Sequence, residues 1–472
     1  MRKFSAIGAV YIGMAIYFLS FSDPAKAQQW RQYADPEKAG WSVTELENAR
    51  NYASEIGSGA VLIIDRGNVV AAWGNIEFPY KSASIRKSIY DATIGAAYRQ
   101  KPFDLNTTLG ELKIDDLETL SDGEKKATFE NLLTARSGVY HPAAYETRSN
   151  AMRRPERFSA APGTKWYYNN WDFNVVCPAF RRLSGQSMEE AFKERLAVPL
   201  GMEDFRSEHV FEWLEPRVSR HPALTFRMSA RDLARIGQLY LNGGKWNGKQ
   251  IVSPGWIKRS TSSITEFEEE HYRGVGNGYG RLWWTYPARP EEENPPFEAY
   301  RRVAARGAGG QFMVLIPDLD LLIVHLADTD SGPGVGDQQV YQLMNKILAA
   351  KKGRVSGKSK LGPVRVKALS EKEPEPLRRD FKTVSAGSRR ALEGRYMFNE
   401  KTGIRFYQFE DRLFLQPVGM PFPDAEVFEV ADGSLRSPLV DFIVRPVRNG
   451  KETVETVEMT FLGETRTGRR ME

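Results

Sequence analysis

Cysteine is almost absent from this 472-residue sequence, which contains Cys177 alone. A single thiol forms no intramolecular disulfide, so the fold depends on a hydrophobic core, which a chain of this length can bury. Cys177 follows Val175 and Val176 and precedes Ala179 and Phe180. These apolar neighbours predict a buried, inert thiol rather than a catalytic one.

Histidine is also scarce. The histidines are His141, His209, His221, His271 and His325. None lies in an H-E-x-x-H sequence, and the chain contains no G-x-S-x-G turn. These absences argue against a zinc hydrolase and against a Ser-His-Asp hydrolase. We expect neither a metal site nor a cofactor.

Acidic residues are missing from 351–367, a stretch that also contains glycine, serine and proline. Its basic residues are Lys351, Lys352, Arg354, Lys358, Lys360, Arg365 and Lys367. The net charge of the chain is +6, but no zinc-finger spacing or aromatic-basic motif accompanies this stretch. Such a composition is typical of a solvated linker, so we predict no nucleic-acid partner.

Long apolar runs are limited to one, at 6–21 near the N-terminus. Arg2 and Lys3 precede it, and Ala25-Lys26-Ala27 follows it, as in a secretory signal peptide. We expect 1–27 to be removed and the mature protein to be periplasmic or secreted. The run is short for a membrane-spanning helix, so no stable membrane span is expected after cleavage.

The remaining pattern predicts two folded units. Between 28 and 350, β-prone runs at 59–65, 68–73, 301–305, 311–316 and 321–326 flank a helical middle. This order favours an α/β (α+β) fold, in which one antiparallel sheet is flanked by helices and the middle forms a helical lobe. We place a basic linker at 351–385 and a small all-β, barrel-like unit at 386–472.

Arg66-Gly67 is a hairpin signal, and Ser187 with Glu190 and Ser229 with Asp232 resemble capping boxes at helix starts. We expect Asp337 to cap a helix whose apolar stripe is Val340, Leu343, Met344, Ile347 and Leu348.

A possible nucleophile lies in the first half of the chain, in Tyr80-Lys81-Ser82-Ala83-Ser84-Ile85-Arg86-Lys87. Ser84 and Lys87 are three residues apart at the start of a predicted helix, so the amine can reach the hydroxyl. Serine needs a neighbouring base, and lysine serves as one when burial or positive charge lowers its pKa. A lone S-x-x-K is weak, because about one would arise by chance in a chain this long.

Two later segments strengthen the interpretation. Pro162-Gly163-Thr164-Lys165-Trp166-Tyr167-Tyr168-Asn169-Asn170 contains Y-x-N, and Ala305-Arg306-Gly307-Ala308-Gly309-Gly310 is a glycine-bearing strand end. Together with S-x-x-K, this order resembles the serine β-lactamase and penicillin-binding-protein superfamily. The tyrosine motif is similar to that of the branch with class C β-lactamases, D-aminopeptidases, β-lactamase-like carboxylesterases and 6-aminohexanoate-dimer hydrolases.

The resemblance implies roles for individual residues. It makes Ser84 the acylated nucleophile, Lys87 its proton partner and Tyr168 a second base whose pKa the Lys87 charge would lower. Asn170 would orient Lys87 and the substrate. The backbone N–H groups of Ser84 and Ala308 would form the oxyanion hole.

The same resemblance implies a substrate-binding set. Its members are Arg306, Gly307, Trp283, Trp284 and Trp166. The third motif normally begins with lysine or histidine, and Ala305 occupies that position here. Arg306 follows it, but neighbours on a strand point to opposite faces. We therefore expect weak or no β-lactam hydrolysis.

These patterns predict a secreted serine hydrolase that acts through a Ser84 acyl-enzyme on a small ester, amide or peptide-like substrate. The alternative is a penicillin-binding or sensor protein of the same fold, which is acylated without efficient turnover. Tyr168 favours the enzyme, because deacylation needs a base and a sensor does not.

Overall fold

A computed structural model of the chain describes residues 29–266, 278–290, 296–330, 332–353, 359–370, 374–378, 380–420, 423–447, 453–461 and 463–471. The predicted signal peptide and His271 lie outside these residues. Within them, no helix has the length and apolar character needed to cross a bilayer.

The predicted α+β architecture is confirmed. Among the described residues, eleven strands form the first sheet, which is largely antiparallel. In spatial order, ten of them are Leu361–Pro363, Arg31–Tyr33, Asn68–Gly74, Ala60–Asp65, Leu321–Leu326, Gln311–Ile316, Arg302–Gly307, Trp284–Tyr286, Gly278–Tyr279 and Thr265–Glu266. The eleventh, Val366–Lys367, pairs in parallel with Asn68–Gly74. Strands from both ends of the predicted unit thus form one sheet.

Two short features match the sequence pattern closely. Arg66 and Gly67 turn with φ angles of 52° and 73°, as the hairpin between Ala60–Asp65 and Asn68–Gly74 requires. Both inner strands, Gln311–Ile316 and Leu321–Leu326, are buried along their whole length. Their continuous burial indicates that helices cover both faces of the sheet.

Helices pack on the sheet and form the lobe beside it. Among the described residues, the α-helices of this unit are Val43–Glu55, Arg86–Gln100, Phe129–Leu133, Arg148–Arg153, Asn170–Ser184, Met188–Phe192, Val198–Leu200, Ala230–Leu241, Pro254–Thr261 and Asp337–Ala349. A further helix, Ala386–Leu392, lies with the C-terminal sheet, in whose core Leu392 is buried. Short 3₁₀ turns lie at Ala83–Ile85, Glu124–Lys126, Ser207–His209 and Pro317–Leu319, and Lys193–Ala197 is a π turn. In a smaller three-stranded sheet, Ala223–Met228 lies between Tyr80–Lys81 and Val210–Trp213. Lys245–Trp246 pairs with Lys249–Gln250 in a two-stranded sheet.

Predicted helix starts agree with the caps. Ser187 and Glu190 form a reciprocal capping box, and the Ser229 hydroxyl accepts from the Asp232 N–H. The prediction that Asp337 caps its helix is wrong, because the cap is Gly336 and Asp337 is the first helical residue. The predicted stripe is buried as expected; it consists of Val340, Leu343, Met344, Ile347 and Leu348.

The C-terminal sheet is a second all-β structure, formed within the described residues by ten strands. In spatial order they are Lys382–Thr383, Phe428–Glu429, Leu435–Arg436, Phe442–Val447, Thr456–Phe461, Glu464–Met471, Gly394–Met397, Gly403–Phe409, Arg412–Val418 and Ala425–Glu426. It has its own apolar core, separate from the core of the first sheet.

Part of the segment predicted as a solvated linker pairs with the first sheet. Leu361–Pro363 and Val366–Lys367 add strands to the first sheet. The side chain of Lys367 is 60% exposed while its backbone pairs with the sheet. A basic composition describes the solvent-facing side chains, but it does not prevent backbone pairing at a sheet edge.

Candidate active site

The nucleophile candidate lies at a strained turn. Ala83 adopts a φ of 46°, a left-handed conformation that costs free energy for a residue with a Cβ. The 3₁₀ turn Ala83–Ile85 then leads into the helix Arg86–Gln100. Ser84 is half-buried and lines a pocket of about 490 Å³. The turn therefore presents the Ser84 hydroxyl at the start of a buried helix.

Lys87 is placed to act on that hydroxyl. Its Nζ lies 2.7 Å from the Ser84 Oγ, and the side chain is 2% exposed. Burial, and then the neighbouring Arg86 charge, hold the pKa of Lys87 well below its ordinary value. Within the described part of the chain, no carboxylate forms an ion pair with Lys87. A buried lysine without a counter-ion gives up its proton readily, so the neutral amine is available as a base.

Arg86 itself is fixed by other contacts. Its guanidinium donates to the Tyr90 hydroxyl at 2.8 Å and to the Asn174 side chain at 2.9 Å. The side chain is fully buried. Arg86 therefore stays charged beside Lys87 and disfavours a second positive charge there.

Tyr168 completes the group around Ser84. Its ring centroid is 4.8 Å from the Lys87 Nζ, and the ring stacks on Trp284 at 5.1 Å. Burial raises the pKa of Tyr168, although a hydrogen bond with Ser84 and the charges of Arg86 and Arg306 oppose the increase. The expected lowering of this pKa is thus wrong, because burial outweighs the nearby positive charge.

Asn170 also lies at the pocket. It is the first residue of the helix Asn170–Ser184 and is 4% exposed. Asn169 caps this helix and donates to the Val139 carbonyl and to Asp172. This capping network fixes the backbone on which Tyr168 and Asn170 are carried.

The end of the strand Arg302–Gly307 forms the opposite wall. Arg306, Gly307 and Ala308 line the pocket, whereas Ala305 is buried. A Cβ added to Gly307 would lie 2.6 Å from the Ser82 carbonyl oxygen, so the strand approaches the nucleophile turn closely only with glycine there. It is Arg306, not residue 305, that presents a cation to the pocket.

Arg306 is held by several partners. Its guanidinium donates to Asp337 at 2.6 Å and lies 5.8 Å from the Trp284 ring. Asp337 is half-exposed, with 50% of its side chain accessible. Trp284 in turn stacks on Tyr168. The Arg306 charge acts on Tyr168 and opposes the increase in the pKa of its phenol.

Of the three tryptophans predicted to bind substrate, one lines the pocket and two do not. Trp284 lines the pocket. Trp283 is 0% exposed, and its indole N–H donates to Asp91 at 3.0 Å, so it belongs to the core. Trp166 packs against Trp284 at 6.0 Å from outside the pocket lining. Adjacent residues in extended chain point to opposite sides, which explains the separation of Trp283 from Trp284.

Several pocket residues belong to no motif in the sequence. Tyr145, Glu146, Trp213 and Pro423 line the pocket, as do residues of the short helix Arg148–Arg153. They come from segments that are distant in sequence and share no motif. Their proximity depends on the fold, so no sequence pattern predicts that they line the pocket.

The described residues contain no cluster of His, Cys, Asp and Glu suited to a metal ion. Cys177 is partly buried, and burial raises its pKa to about 12. His325 is fully buried, and its pKa is lowered to about 4 by burial. Neither side chain lines the pocket.

The chain is similar to known proteins. The Beta-lactamase family model matches residues 43–344. The chain is 31% identical over 124 residues to a 6-aminohexanoate-dimer hydrolase from Paenarthrobacter ureafaciens, a match that covers 25% of this chain and 28% of that protein.

Two of the solved structures that resemble this chain are penicillin-binding protein homologues. A penicillin-binding protein homologue from Caulobacter crescentus has a TM-score of 0.48 and 16% identity, covering 66% of this chain and 99% of its own. An octameric penicillin-binding protein homologue from Pyrococcus abyssi has a TM-score of 0.47 and 18% identity, covering 90% and 99%. The family match spans more than half of the sequence. This chain therefore belongs to the Beta-lactamase family.

Proposed function

We propose that the protein hydrolyses esters or small linear amides through an acyl-enzyme on Ser84. The observation that carries this proposal is the 2.7 Å contact between the Ser84 Oγ and the Nζ of Lys87, a buried lysine with no carboxylate ion pair among the described residues. A neutral amine at hydrogen-bond distance is the base that a serine nucleophile needs.

Acylation then proceeds in two steps. The Ser84 Oγ bonds to the substrate carbonyl carbon while its proton moves to Lys87. The resulting oxyanion collapses, and the bond to the leaving group breaks. Tyr168, whose raised pKa keeps the phenol protonated, donates a proton to the departing alkoxide or amine and regains one from Lys87.

Deacylation repeats this chemistry with water. Water loses a proton to the Lys87–Tyr168 pair and bonds to the acyl carbon, and the Ser84–acyl bond breaks as Ser84 is reprotonated. The product is a carboxylic acid. The backbone N–H groups of Ser84 and Ala308 are the proposed oxyanion donors in both steps, and Asn170 orients the substrate and Lys87.

The pocket supports an ester or linear amide better than a β-lactam. Ala305 carries no charge, and Arg306, the cation on this strand, is already bonded to Asp337. The other cations at the pocket, Arg148 and Arg153, are exposed to solvent on a short helix. A charge-assisted bond to a substrate carboxylate contributes about 1.5–3 kcal/mol, or about one to two decades in rate. We expect kcat/KM for a short p-nitrophenyl ester to exceed that for a chromogenic cephalosporin by at least tenfold.

The proposal is tested by labelling with a fluorophosphonate. Mass spectrometry of the digested adduct should place the phosphonyl group on Ser84, and Ser84→Ala should abolish both labelling and ester turnover. Ser88→Ala is the matched control, because Ser88 lies on the same helix but donates to the Leu282 carbonyl. A label on another serine contradicts the proposal. Labelling of Ser84 with an ester burst but no turnover indicates the sensor alternative.

We also propose that the mature enzyme begins near Gln28 in the periplasm or outside the cell. Arg2, Lys3, the apolar run at 6–21 and Ala25-Lys26-Ala27 support this. N-terminal sequencing of native protein from cell fractions is the test. An intact Met1 in the cytoplasmic fraction contradicts it.

A further inference from the structure

The C-terminal sheet reaches the wall of the catalytic pocket. Leu439, in the loop between the strands Leu435–Arg436 and Phe442–Val447, is 8% exposed and packs with Trp213 and Ala223. Trp213 lines the pocket from the other side. A residue of the second sheet therefore supports a side chain of the first unit directly behind the pocket.

Trp213 is part of an aromatic pair. Its ring lies 4.7 Å from the ring of Tyr145, which also lines the pocket. Tyr145 adopts a φ of 61°, and its N–H donates to Glu215 at 2.7 Å. A bulky residue holds a left-handed conformation only where its surroundings impose it. The hydrogen bond to Glu215 and packing against the Trp213, Ala223 and Leu439 cluster therefore hold Tyr145 in this conformation.

The loop that carries Leu439 is anchored by charge. Lys81 donates to the Leu439 carbonyl at 3.0 Å, and Asp330 forms ion pairs with Lys81 at 2.7 Å and with Arg227 at 2.6 Å. Arg227 also donates to the Pro438 carbonyl at 3.5 Å. Lys81 precedes Ser84 by three residues, so the same strand end holds both the loop and the nucleophile turn.

A second part of the C-terminal sheet meets the same pocket. Pro423 is among its lining residues, and the neighbouring Asp424 accepts from the Tyr407 hydroxyl at 2.8 Å. Arg217 of the first unit donates to Gln416 close by in the sheet. The C-terminal sheet thus lines the pocket through Pro423 and packs behind Trp213 through Leu439.

We propose that Leu439 is a positioning residue that fixes the Trp213–Tyr145 pair, and that the C-terminal sheet thereby limits the size of the apolar acyl group that the pocket accepts. This inference rests on the proposed Ser84 hydrolase function. Leu439 is not among the residues that line the pocket. Its effect should therefore reach substrate binding and leave the chemistry of small esters unchanged.

The test compares Leu439→Ala with wild type on p-nitrophenyl acetate, butyrate and octanoate. Without the Leu439 side chain, the rings of Trp213 and Tyr145 can move away from the pocket, which enlarges the space for a long acyl chain. The ratio of kcat/KM for octanoate to kcat/KM for acetate should therefore rise at least fivefold. The change should lie in KM, and kcat for acetate should stay within twofold. Leu392→Ala is the matched control, because Leu392 is buried in the core of the C-terminal sheet and outside the Leu439 cluster.

Two further variants keep the test decisive. Leu439→Met, which conserves volume, should restore the wild-type ratio, and Leu439→Val should give a smaller shift if the alanine variant fails to fold. An unchanged ratio in folded Leu439→Ala or Leu439→Val, or an equal fall in kcat for every ester, overturns the inference. Fluorophosphonate labelling of Ser84 separates the two proposals. Labelled Ser84 with an unchanged ratio defeats the inference alone, whereas absence of the label in wild type defeats the proposed function and the inference with it.

Discussion

Lys81 and Lys87 lie on either side of Ser84 and are both largely buried, but their surroundings differ. Lys81 forms an ion pair with Asp330 at 2.7 Å, whereas Lys87 contacts the Ser84 hydroxyl and has the Arg86 cation beside it. Burial lowers the pKa of Lys81, but Asp330 opposes that shift. For Lys87, burial and Arg86 act in the same direction. In the proposed mechanism, the counter-ion makes Lys81 structural, and the lack of one among the described residues leaves Lys87 available as the base.

The largest expected effect is the loss of the base. Lys87→Met should reduce kcat/KM for p-nitrophenyl acetate by about 10³-fold, since general-base catalysis contributes about 10²–10⁴-fold. Lys81→Met, the matched control, should change the same constant by less than tenfold. Steady-state kinetics on both folded variants checks the comparison. Equal losses at the two positions would contradict it.

Loss of the phenol should have the next largest effect. Tyr168→Phe removes the proton donor for the leaving group and should reduce kcat by about 10²-fold. Tyr167→Phe is the control, because the neighbouring Tyr167 hydroxyl donates to the Asn150 carbonyl and is outside the pocket lining. If both variants keep wild-type kcat, Tyr168 is not the proton donor.

The counter-ion of Lys81 should affect stability more than rate. Burial would raise the pKa of Asp330, but hydrogen bonds and charges from Arg227 and Lys81 hold it at about 2. An unfolded aspartate has a pKa of about 3.9, so the stabilisation is present above pH 4 and is lost as the pH falls towards 2.

Asp330→Asn should therefore lower the free energy of unfolding at pH 7 by about 2 kcal/mol and flatten its decline between pH 4 and 2. Urea unfolding across this pH range is the measurement, with the exposed Asp318→Asn as control. A variant as stable as wild type at pH 7, with the same acid limb, would show that the ion pair contributes nothing.

The smallest expected effect concerns Arg306. Its charge counteracts the burial of Tyr168, so Arg306→Met should raise the phenol pKa further. We expect a three- to tenfold fall in kcat for a neutral ester, since one pKa unit corresponds to about 1.4 kcal/mol. Arg306→Lys, which keeps the charge, should retain more activity than Arg306→Met. If Arg306→Lys is less active than Arg306→Met, the charge of Arg306 does not act on Tyr168.

Much of the fold was predictable because its signals are local. The strands Gln311–Ile316 and Leu321–Leu326 were predicted with their observed bounds, since continuous apolar runs between turn residues leave little choice. Ser84 and Lys87 meet because helical spacing brings i and i+3 together.

The rest depends on contacts between distant segments. Trp213 and Pro423 enter the pocket from different units, and no local pattern encodes that meeting. The direction of the Tyr168 pKa shift depends on burial, which the sequence shows only indirectly. Trp283 was assigned to the pocket by its position beside Trp284, although alternation along extended chain separates them.

The most direct test of the central claim is the pH dependence of Ser84 phosphonylation, because this step needs the base but not turnover. We predict that the inactivation rate of wild type rises through an apparent pKa far below the value of about 10.4 for free lysine and reaches a plateau. Lys87→Arg, which cannot deprotonate, should react about 10³-fold more slowly, whereas Lys81→Arg should follow the wild-type profile. A wild-type rate that rises only near pH 10, or a Lys87→Arg rate equal to that of wild type, would contradict the account.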